Sequence, residues 1–570
     1  MKLFSFLAFA VLWISFPKIL LSQSQGSYPQ GYFANPLNIP MSLSGNFGEL
    51  RPDHYHMGID IKTQGRVNLP VYASADGYVA RIKVEPAGFG QAIYINHPNG
   101  YTTLYAHLNS FAPALAAYVK RRQYELQAWN IFIDIPQGLF PVRKGEFIAN
   151  SGSTGGSQAP HVHFEIRRTS NDVNLNPMLF GFPIPDNTRP SLLRLAVYDR
   201  TKSMYEQSPK IVPVRGVGAA YQTTPGKIIV SSPKVSFAIT SFDTHTGSTN
   251  QNGIYQGWLY EDDRAVCHFE MDNISYFDTR YLNAHIDYKT KYNRGPFLQQ
   301  LSELPGYINS IYKKTAGDGV LDISDRLPHR IRIESNDTYG NKTTLNFEVQ
   351  YNGSAVTASG SSGQMFYPLM VGVNEGTDCE FFIGERSLYD SVHIRHVQTL
   401  STLPEVISKI NSIGPAYIPL QDSMLVRIKP ISAVDPEVRS RVVMQMFSGN
   451  EKQVQKVEWS GEWASARFRD AGSFQLVVDQ QAPEILPVGF SNNADLRGAS
   501  SIMFTCRDNM GKFKRFRAEL DGKWLMFSND KGRTFIYRFD ENCPPGQHSL
   551  KVSVDDEAGN NTTKYYSFTR

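Results

Sequence analysis

The sequence contains few cysteines, carries nearly balanced charge and has no long apolar run beyond its first residues. Four cysteines in 570 residues, none close to another, exclude a disulfide-rich scaffold and a zinc ribbon built on paired cysteines. The 57 basic and 53 acidic residues leave a net charge of +4. A nucleic-acid binder concentrates basic residues on one face, so this balance predicts no nucleic-acid partner.

The first residues are the exception to this lack of apolar runs. Met1-Lys2 provides a basic start, and an apolar run follows over residues 3–16. The run is shorter than the roughly 20 residues of a membrane span, so we predict a secretory signal peptide, and we place it at residues 1–24. An uncleaved anchor that extends through Leu21 is the alternative. We expect an exported chain, in the periplasm, the cell envelope or at the outer surface, with no membrane span after signal removal.

Composition favours β structure. Apolar residues make up 41% of the chain and aromatic residues 12%, enough to build cores from half-buried strands. We predict a mainly β protein with four segments: an antiparallel β-sheet domain over 25–185 with an insertion at 111–140, a β-sandwich module with an insertion over 186–351, a β-rich middle module over 352–480, and a C-terminal module over 481–570. Export would allow Cys506 and Cys543 of the last segment to pair.

A weak internal repeat marks two of the modules. The segment Asp337–Thr344 recurs as Asp556–Thr563, and each copy contains a Gly-Asn pair between strand-like runs. This pattern predicts a hairpin, because Gly and Asn tolerate the positive φ of tight turns. Each module also begins with Asp-x-x-x-Pro, at 186–190 and 479–483. The two modules resemble the immunoglobulin-like β-sandwiches of bacterial envelope proteins.

Helical patterns are confined to short stretches. The insertion at 111–140 contains two of them, Ala112–Tyr118 and Arg121–Ala128. A further short helix is predicted at Phe297–Leu304, inside the insertion of the second segment.

Chemically competent side chains concentrate in the first segment, where six of the 13 histidines lie between residues 54 and 163. In the run His56–Ile61, apolar residues alternate with His56, Gly58 and Asp60. Alternate residues of a strand point to opposite faces, so this pattern places His56 and Asp60 together on a polar face.

Two other strand-like runs follow the same rule. His161, His163 and Glu165 alternate with Val162, Phe164 and Ile166, and His107 ends a run that begins at Tyr101. If the three polar faces meet, they supply nitrogen and oxygen ligands that suit zinc. A zinc ion with an open position lowers the pKa of its water to about 7 and polarises a carbonyl.

These residues carry a resemblance. The motifs His56-x-x-x-Asp60, Tyr105-Ala106-His107-Leu108 and His161-x-His163 resemble those of the M23 (lysostaphin/LytM-type) zinc metallopeptidases, in the same order and within residues 45–180. Neighbouring motifs match as well: Leu69-Pro70-Val71-Tyr72-Ala73, Asp76-Gly77-Tyr78-Val79, Ile95-Asn96-His97 and Gly152-Ser153-Thr154-Gly155.

The resemblance implies one Zn²⁺ per chain, held by His56, Asp60 and His163, with His107 and His161 beside it as catalytic groups. It implies an exported zinc metalloendopeptidase that hydrolyses peptide crosslinks of bacterial peptidoglycan through a metal-activated water. Two departures stand out. The insertion at 111–140 is long for the family and could cover the substrate groove, and Gln158-Ala159-Pro160 replaces the commoner Thr-Gly-Pro.

Other functions and roles stay open at this point. The chain could be a catalytically silent regulator of cell-wall remodelling, or a surface adhesin or scaffold that binds an envelope protein through its β modules. Glu165 fits either a residue that orients a metal ligand or a surface ion pair. Tyr105 fits either the substrate groove or the core, and His97 is interpreted as structural.

Overall fold

The fold is given by a computed structural model of the chain, which describes residues 28–217, 220–354, 362–449, 451–511, 513–532 and 534–570. The signal peptide predicted at 1–24 lies outside these ranges. Strands dominate every segment, which confirms the mainly β class. Within the described ranges, no helix combines the length and the apolar character that a bilayer crossing requires.

The N-terminal domain is built on one antiparallel sheet of ten strands. Seven of them form its continuous path, in the spatial order Leu43–Gly45, Ile59–Lys62, His161–Arg168, Tyr101–Ala106, Gln91–Asn96, Gly77–Val84 and Ile131–Asp134. The short strands of the same sheet are Asn174–Leu175, Asn273–Ile274 and Pro141–Val142. A separate three-stranded sheet consists of Pro70–Tyr72, Phe147–Asn150 and Ser110–Phe111.

The two faces of this sheet differ in polarity as the alternation predicts. Ile59, Val162 and Phe164 are fully buried in one apolar core. His163 and Glu165 point to the opposite face, because successive residues of a strand alternate. Burial of the apolar face fixes the strand register, since a slip of one residue would expose the core side chains.

The insertion at 111–140 forms one helix and one strand. The two predicted helical stretches join in a single helix, Pro113–Leu126, which begins with Pro at its first turn and ends at Gln127 in the left-handed conformation. Leu115, Val119 and Gln123 are its buried residues, and their spacing of four places them on one face. The strand Ile131–Asp134 pairs with Gly77–Val84 at the edge of the sheet.

The next segment forms a second sheet of ten strands around one apolar core. Its strands, in spatial order, are Arg264–Glu270, Gln256–Glu261, His329–Asn336, Lys342–Tyr351, Ala220–Val230, Lys210–Val217, Ser191–Asp199, Lys234–Phe242 and Gln299–Gln300, with Leu321–Asp322 beside Lys234–Phe242. The core also includes Phe47, Tyr55 and Met57, from the loop that precedes the second strand of the N-terminal sheet. The N-terminal domain and this segment are therefore packed against each other.

The last two segments are each made of two sheets that share a core. The middle segment has a six-stranded sheet of Gln364–Phe366, Val392–Thr399, Ile410–Gly414, Gly472–Val478, Val442–Ser448 and Glu451–Lys456, and a five-stranded sheet of Gly372–Asn374, Cys379–Ile383, Pro419–Ile428, Trp463–Asp470 and Glu458–Ser460. The C-terminal segment has a three-stranded sheet of Glu484–Val488, Ser501–Arg507 and Thr534–Arg538, and a five-stranded sheet of Ala494–Asp495, Asn561–Thr569, Gln547–Asp556, Phe513–Leu520 and Lys523–Trp524. The boundaries at 185, 351 and 480 stay predictions.

The internal repeat forms two hairpins, as its sequence predicts. His329–Asn336 pairs with Lys342–Tyr351, and Gln547–Asp556 pairs with Asn561–Thr569, both antiparallel. The Gly-Asn pairs lie in the connecting turns, where Gly340 and Gly559 have positive φ. The hairpin predictions are therefore confirmed.

Two expectations differ from the structure. The helix predicted at Phe297–Leu304 is wrong: Gln299–Gln300 pairs with the strand Lys234–Phe242, because Leu298 and Leu301 beside it are buried in the core. The short α-helices of this region are Leu282–His285 and Tyr288–Tyr292. The middle segment contains another short α-helix, Pro436–Arg439. Cys506 and Cys543 are free thiols rather than a disulfide.

The C-terminal segment folds back onto the N-terminal domain at two places. The Lys120 ammonium of the insertion helix lies 2.7 Å from the Asp540 carboxylate, and the rings of Tyr124 and Trp524 are in edge contact. At the second place the Gly155 N–H donates to the Asp530 carboxylate at 2.7 Å. The insertion therefore contacts the C-terminal segment through its helix.

This contact predicts that Asp530→Ala will loosen the loop around Gly155. The variant removes the acceptor of the Gly155 amide, and a hydrogen bond to a charged group contributes about 1.5–3 kcal/mol. Hydrogen–deuterium exchange of a peptide that contains Gly155 should become about tenfold faster or more. Asp495→Ala, at an exposed aspartate that pairs with Arg497, should leave this exchange unchanged. Equal exchange in the wild type and in Asp530→Ala would contradict the contact.

Candidate active site

Three side chains from distant parts of the chain meet on the polar face of the N-terminal sheet. His56 Nε2 lies 3.0 Å from Asp60 Oδ1 and 3.0 Å from His163 Nδ1, and His163 Nδ1 lies 2.9 Å from Asp60 Oδ1. All three residues are buried. Ligand atoms around a tetrahedral ion with bonds of about 2.0 Å lie about 3.3 Å apart, so this triangle has the size of a metal site.

Strand pairing brings these residues together. His163 is the direct partner of Asp60 on one neighbouring strand and of Ala106 on the other. His56 precedes the strand Ile59–Lys62 in a tight loop. A Cβ at Gly58 would lie 2.4 Å from the Phe164 carbonyl oxygen, so glycine lets this loop approach the central strand.

The outer ring nitrogens of His56 and His163 each have a partner. His56 Nδ1 donates to the Asn46 carbonyl oxygen at 2.7 Å, and His163 Nε2 donates to Glu165 Oε1 at 2.9 Å. When each imidazole is neutral and carries its one proton on the outer nitrogen, the nitrogen that faces the centre carries a lone pair. Two lone pairs and a carboxylate oxygen then converge on one point, which is the donor set of a metal ion.

The charges around the centre also favour a positive charge there. Burial lowers the pKa of His163, but the hydrogen bonds and charges of Asp60 and Glu165 outweigh it and raise that pKa to about 9. The second oxygen of Asp60 accepts a hydrogen bond from Arg51 at 2.9 Å, which leaves Oδ1 to face the two imidazoles. The site therefore favours a positive charge at its centre, a proton or a metal ion.

Two more histidines lie beside the triangle. His161 Nε2 is 3.4 Å from Asp60 Oδ1, and the rings of His107 and His161 are 4.8 Å apart between centroids. His107 Nδ1 donates to the Thr154 carbonyl oxygen at 2.9 Å, and His161 Nδ1 donates to the Ala159 carbonyl oxygen at 2.8 Å. Burial, and then the neighbouring His163 and His161, lower the pKa of His107 to about 3, so its imidazole is neutral.

Glu165 lies at the centre of a buried polar network. Its side chain is fully buried and accepts hydrogen bonds from His163, from Arg167 at 2.7 Å and from Asn174 at 2.8 Å. The Tyr276 hydroxyl, which belongs to the second segment, donates to Glu165 Oε1 at 2.7 Å. Burial raises the pKa of Glu165, but Arg167 and His163 outweigh it and lower that pKa to about 2. Glu165 thus orients His163 rather than forming a surface ion pair.

An open groove of about 830 Å³ is bordered by the three residues of the triangle together with His107 and His161. Its other lining side chains include Arg51, His54, Lys83, Phe89 and Tyr276. No residue of the insertion at 111–140, all of which the structure describes, lies in this lining. The insertion could therefore cover the groove only from outside this lining: Leu115 and Val119 of its helix are buried in the N-terminal core, and the helix also contacts the C-terminal segment.

The predicted residues thus come together, whereas Arg51 and Tyr276 beside them were not predicted from the sequence. Arg51 and Tyr276 contact Asp60 and Glu165, but neither follows an alternating pattern, and Tyr276 is 111 positions from its partner. His97 is structural as interpreted, with contacts to the Asp76 carbonyl and Thr103. Tyr105 is buried in the core and does not line the groove.

Comparisons with known proteins agree with this geometry. Residues 54–124 match the family model described as peptidase family M23, and residues 370–479 match the one described as a Zu5-like domain. The DD-carboxypeptidase/endopeptidase Mpg of Neisseria meningitidis is 38% identical over 135 residues, which are 24% of this chain and 24% of that protein. The peptidoglycan DD-endopeptidase ShyB of Vibrio cholerae is 31% identical over 111 residues, 20% of each chain.

The matches are confined to one part of the chain. The aligned segment spans about a quarter of the length of the curated relatives matched first. Among solved structures, the catalytic domain of the prophage-encoded M23 protein EnpA from Enterococcus faecalis has 23% identity and a TM-score of 0.20, over 26% of this chain and 96% of that one. The family model, its named relatives and the order of the motifs together show that the chain carries an M23 peptidase domain, followed by segments that are mostly β.

Proposed function

We propose that the chain is an exported zinc metalloendopeptidase that hydrolyses peptide crosslinks of bacterial peptidoglycan. The observation that carries the proposal is the convergence of His56, Asp60 and His163 within 3.0 Å of one another beside an open groove. The relatives named as DD-endopeptidases support the substrate class. An exported location follows from that substrate.

In this proposal His56, Asp60 and His163 hold the ion. Zinc bound there would lower the pKa of a bound water to about 7 and polarise a peptide carbonyl. Asn46 and Glu165 fix the orientation of the two imidazoles through their outer nitrogens, and Arg51 holds the second oxygen of Asp60. The donor set of two nitrogens and one oxygen fits a catalytic zinc site, which keeps one position open.

His107 and His161 supply the proton chemistry. Each uses Nδ1 to donate to a backbone carbonyl, so in the neutral ring the lone pair lies on Nε2. A neutral Nε2 accepts the proton of the attacking water, and the imidazolium formed donates to the leaving amine or to the developing oxyanion. The low pKa of His107 keeps it neutral before the reaction.

The first prediction of the proposed function concerns the residues that would hold the zinc. Purified protein should contain about one zinc per chain, and His163→Ala should lose it together with cleavage of crosslinked muropeptides. Elemental analysis and mass spectrometry of the digests provide the two measurements. His54→Ala, at an exposed histidine that contacts Asp53, should keep its zinc. A zinc-loaded protein that leaves crosslinked fragments intact would refute the proposal.

The second prediction separates catalysis from metal binding. His107→Ala should retain about one zinc per chain but reduce kcat about 10²–10⁴-fold, the usual contribution of a positioned general base. Zinc content and steady-state kinetics on a crosslinked peptide are compared in the same preparation. Loss of zinc in this variant would instead assign His107 to the ligands.

The third prediction concerns Tyr276, which reaches the site from the second segment. Tyr276→Phe removes only the hydroxyl that donates to Glu165, so we expect zinc binding to weaken about tenfold or more. Competition with a zinc chelator measures the change without reference to activity. Tyr292→Phe, whose hydroxyl contacts Ser448 and which does not line the groove, is the matched control. Unchanged zinc affinity in Tyr276→Phe would contradict this positioning role.

A further inference from the structure

A second buried cluster of metal-ligand type lies away from the groove. Asp186, Asp243 and His245 each bring one ligand atom within 4.8 Å of the others. Asp186 belongs to the stretch between the N-terminal sheet and the second sheet, and the other two follow the strand Lys234–Phe242. All three side chains are buried, and the proposed peptidase does not use them.

Several oxygens of this cluster have no partner. Asp186 Oδ2 and Asp243 Oδ1 make no hydrogen bond, although the two residues are only 9% and 2% exposed. The amide oxygen of Asn252, whose Nδ2 lies 3.2 Å from His245, is also buried and without a partner. A buried polar atom left without a partner costs about 1–3 kcal/mol, and more when it is charged.

The charges of the cluster are of one sign. Burial, and then the carboxylates of Asp186 and Asp337, raise the pKa of Asp243 to about 7. Burial lowers the pKa of His245, so its imidazole supplies no compensating charge. Asp186 and Asp243 bring two carboxylates together where water is excluded, so a cation between them would relieve their repulsion.

The hydrogen bonds that surround Asp186 recur around Asp479 in the C-terminal segment, and the residues that make them belong to the internal repeat. The Asn341 amide donates to Asp337 at 2.7 Å and to the Asp186 carbonyl at 3.3 Å. In the C-terminal segment, the Asn560 amide donates to Asp556 at 2.7 Å and to the Asp479 carbonyl at 3.0 Å.

The carboxylates of Asp186 and Asp479, at the start of the two modules, also make equivalent hydrogen bonds. One oxygen of Asp186 accepts the Thr188 N–H at 2.9 Å, and one oxygen of Asp479 accepts the Gln481 N–H at 3.1 Å. In both copies the other oxygen is left without a partner. The Asp-x-x-x-Pro and Gly-Asn motifs thus fix one carboxylate at the start of each module.

We propose that Asp186, Asp243 and His245 bind a divalent cation that prefers oxygen ligands, of the calcium or manganese type. Carboxylate oxygens dominate the site, and a carbonyl such as that of Asn252 is a further ligand of this kind. The cation neutralises the buried carboxylates and ties the stretch at Asp186 to the loop at Asp243. It thereby stabilises the start of the second segment, next to the N-terminal domain.

The test uses full-length, zinc-loaded protein titrated with Ca²⁺ and, separately, with Mn²⁺. At a cation concentration about 100 times Kd, we expect the Tm to rise by about 5 °C in the wild type. Asp243→Asn keeps the shape of the side chain and removes its charge, so it should lose this rise and the heat of binding in calorimetry. In cation-free buffer the same variant should be at least as stable as the wild type, because it relieves repulsion.

The controls separate a cation site from a purely structural cluster. Asp495→Asn, at an exposed aspartate paired with Arg497, should show the full rise. Asp186→Asn should behave as Asp243→Asn does. No heat and no change in Tm with either cation up to about 10 mM would overturn the proposal. An equal rise in the wild type and in Asp243→Asn would overturn it as well, whatever metal the histidine-rich site in the groove holds.

Discussion

The candidate active site depends on one cross-strand pair, His163 opposite Asp60. In an antiparallel sheet, directly opposed residues have Cβ atoms about 4.5–5.5 Å apart and point to the same face. That geometry places an imidazole nitrogen and a carboxylate oxygen 2.9 Å from each other. The register is imposed from the other face, where Ile59, Val162 and Phe164 are buried. Packing of the core therefore determines where the polar groups meet.

Around this pair, charge is balanced by partners that lie far away in the chain. Glu165 is negative and fully buried, and it is held by Arg167, by His163 and by the Tyr276 hydroxyl. A buried carboxylate is tolerated only when its oxygens are fully engaged. Because Tyr276 belongs to the second segment, that segment helps to keep Glu165 charged and His163 oriented. The N-terminal domain does not contain all the partners of its own site.

Much of the site and some of the fold could be predicted from the sequence, and the reason is periodicity. Alternation along His161–Ile166 assigns His161, His163 and Glu165 to one face, and all three have contacts at the centre. The Gly-Asn turns predict both hairpins. These features depend on local rules, which a single stretch of sequence expresses.

What could not be predicted depends on contacts between distant segments. Arg51 precedes the site in a loop without periodicity, and its role follows only from the position of Asp60. The stretch Phe297–Leu304 contains a strand rather than the predicted helix. Its residues Gln299–Gln300 pair with the strand Lys234–Phe242, and Leu298 and Leu301 are buried in the core. The sequence left open whether the insertion at 111–140 covers the groove, because the contacts of its helix with Trp524 and Asp540 join distant parts of the chain.

The loop Ser153–Pro160 shows why these distant contacts matter for the chemistry. Its carbonyls at Thr154 and Ala159 accept the Nδ1 protons of His107 and His161. Between them, the Gly155 N–H and the Ser157 carbonyl are bound by Asp530 and Lys531 of the C-terminal segment. A shift of this loop would rotate both imidazoles, since their free nitrogens are aimed by the bonds at Nδ1. The C-terminal segment thus fixes the loop whose carbonyls orient His107 and His161. It contributes to the structure of the site and is not an independent module.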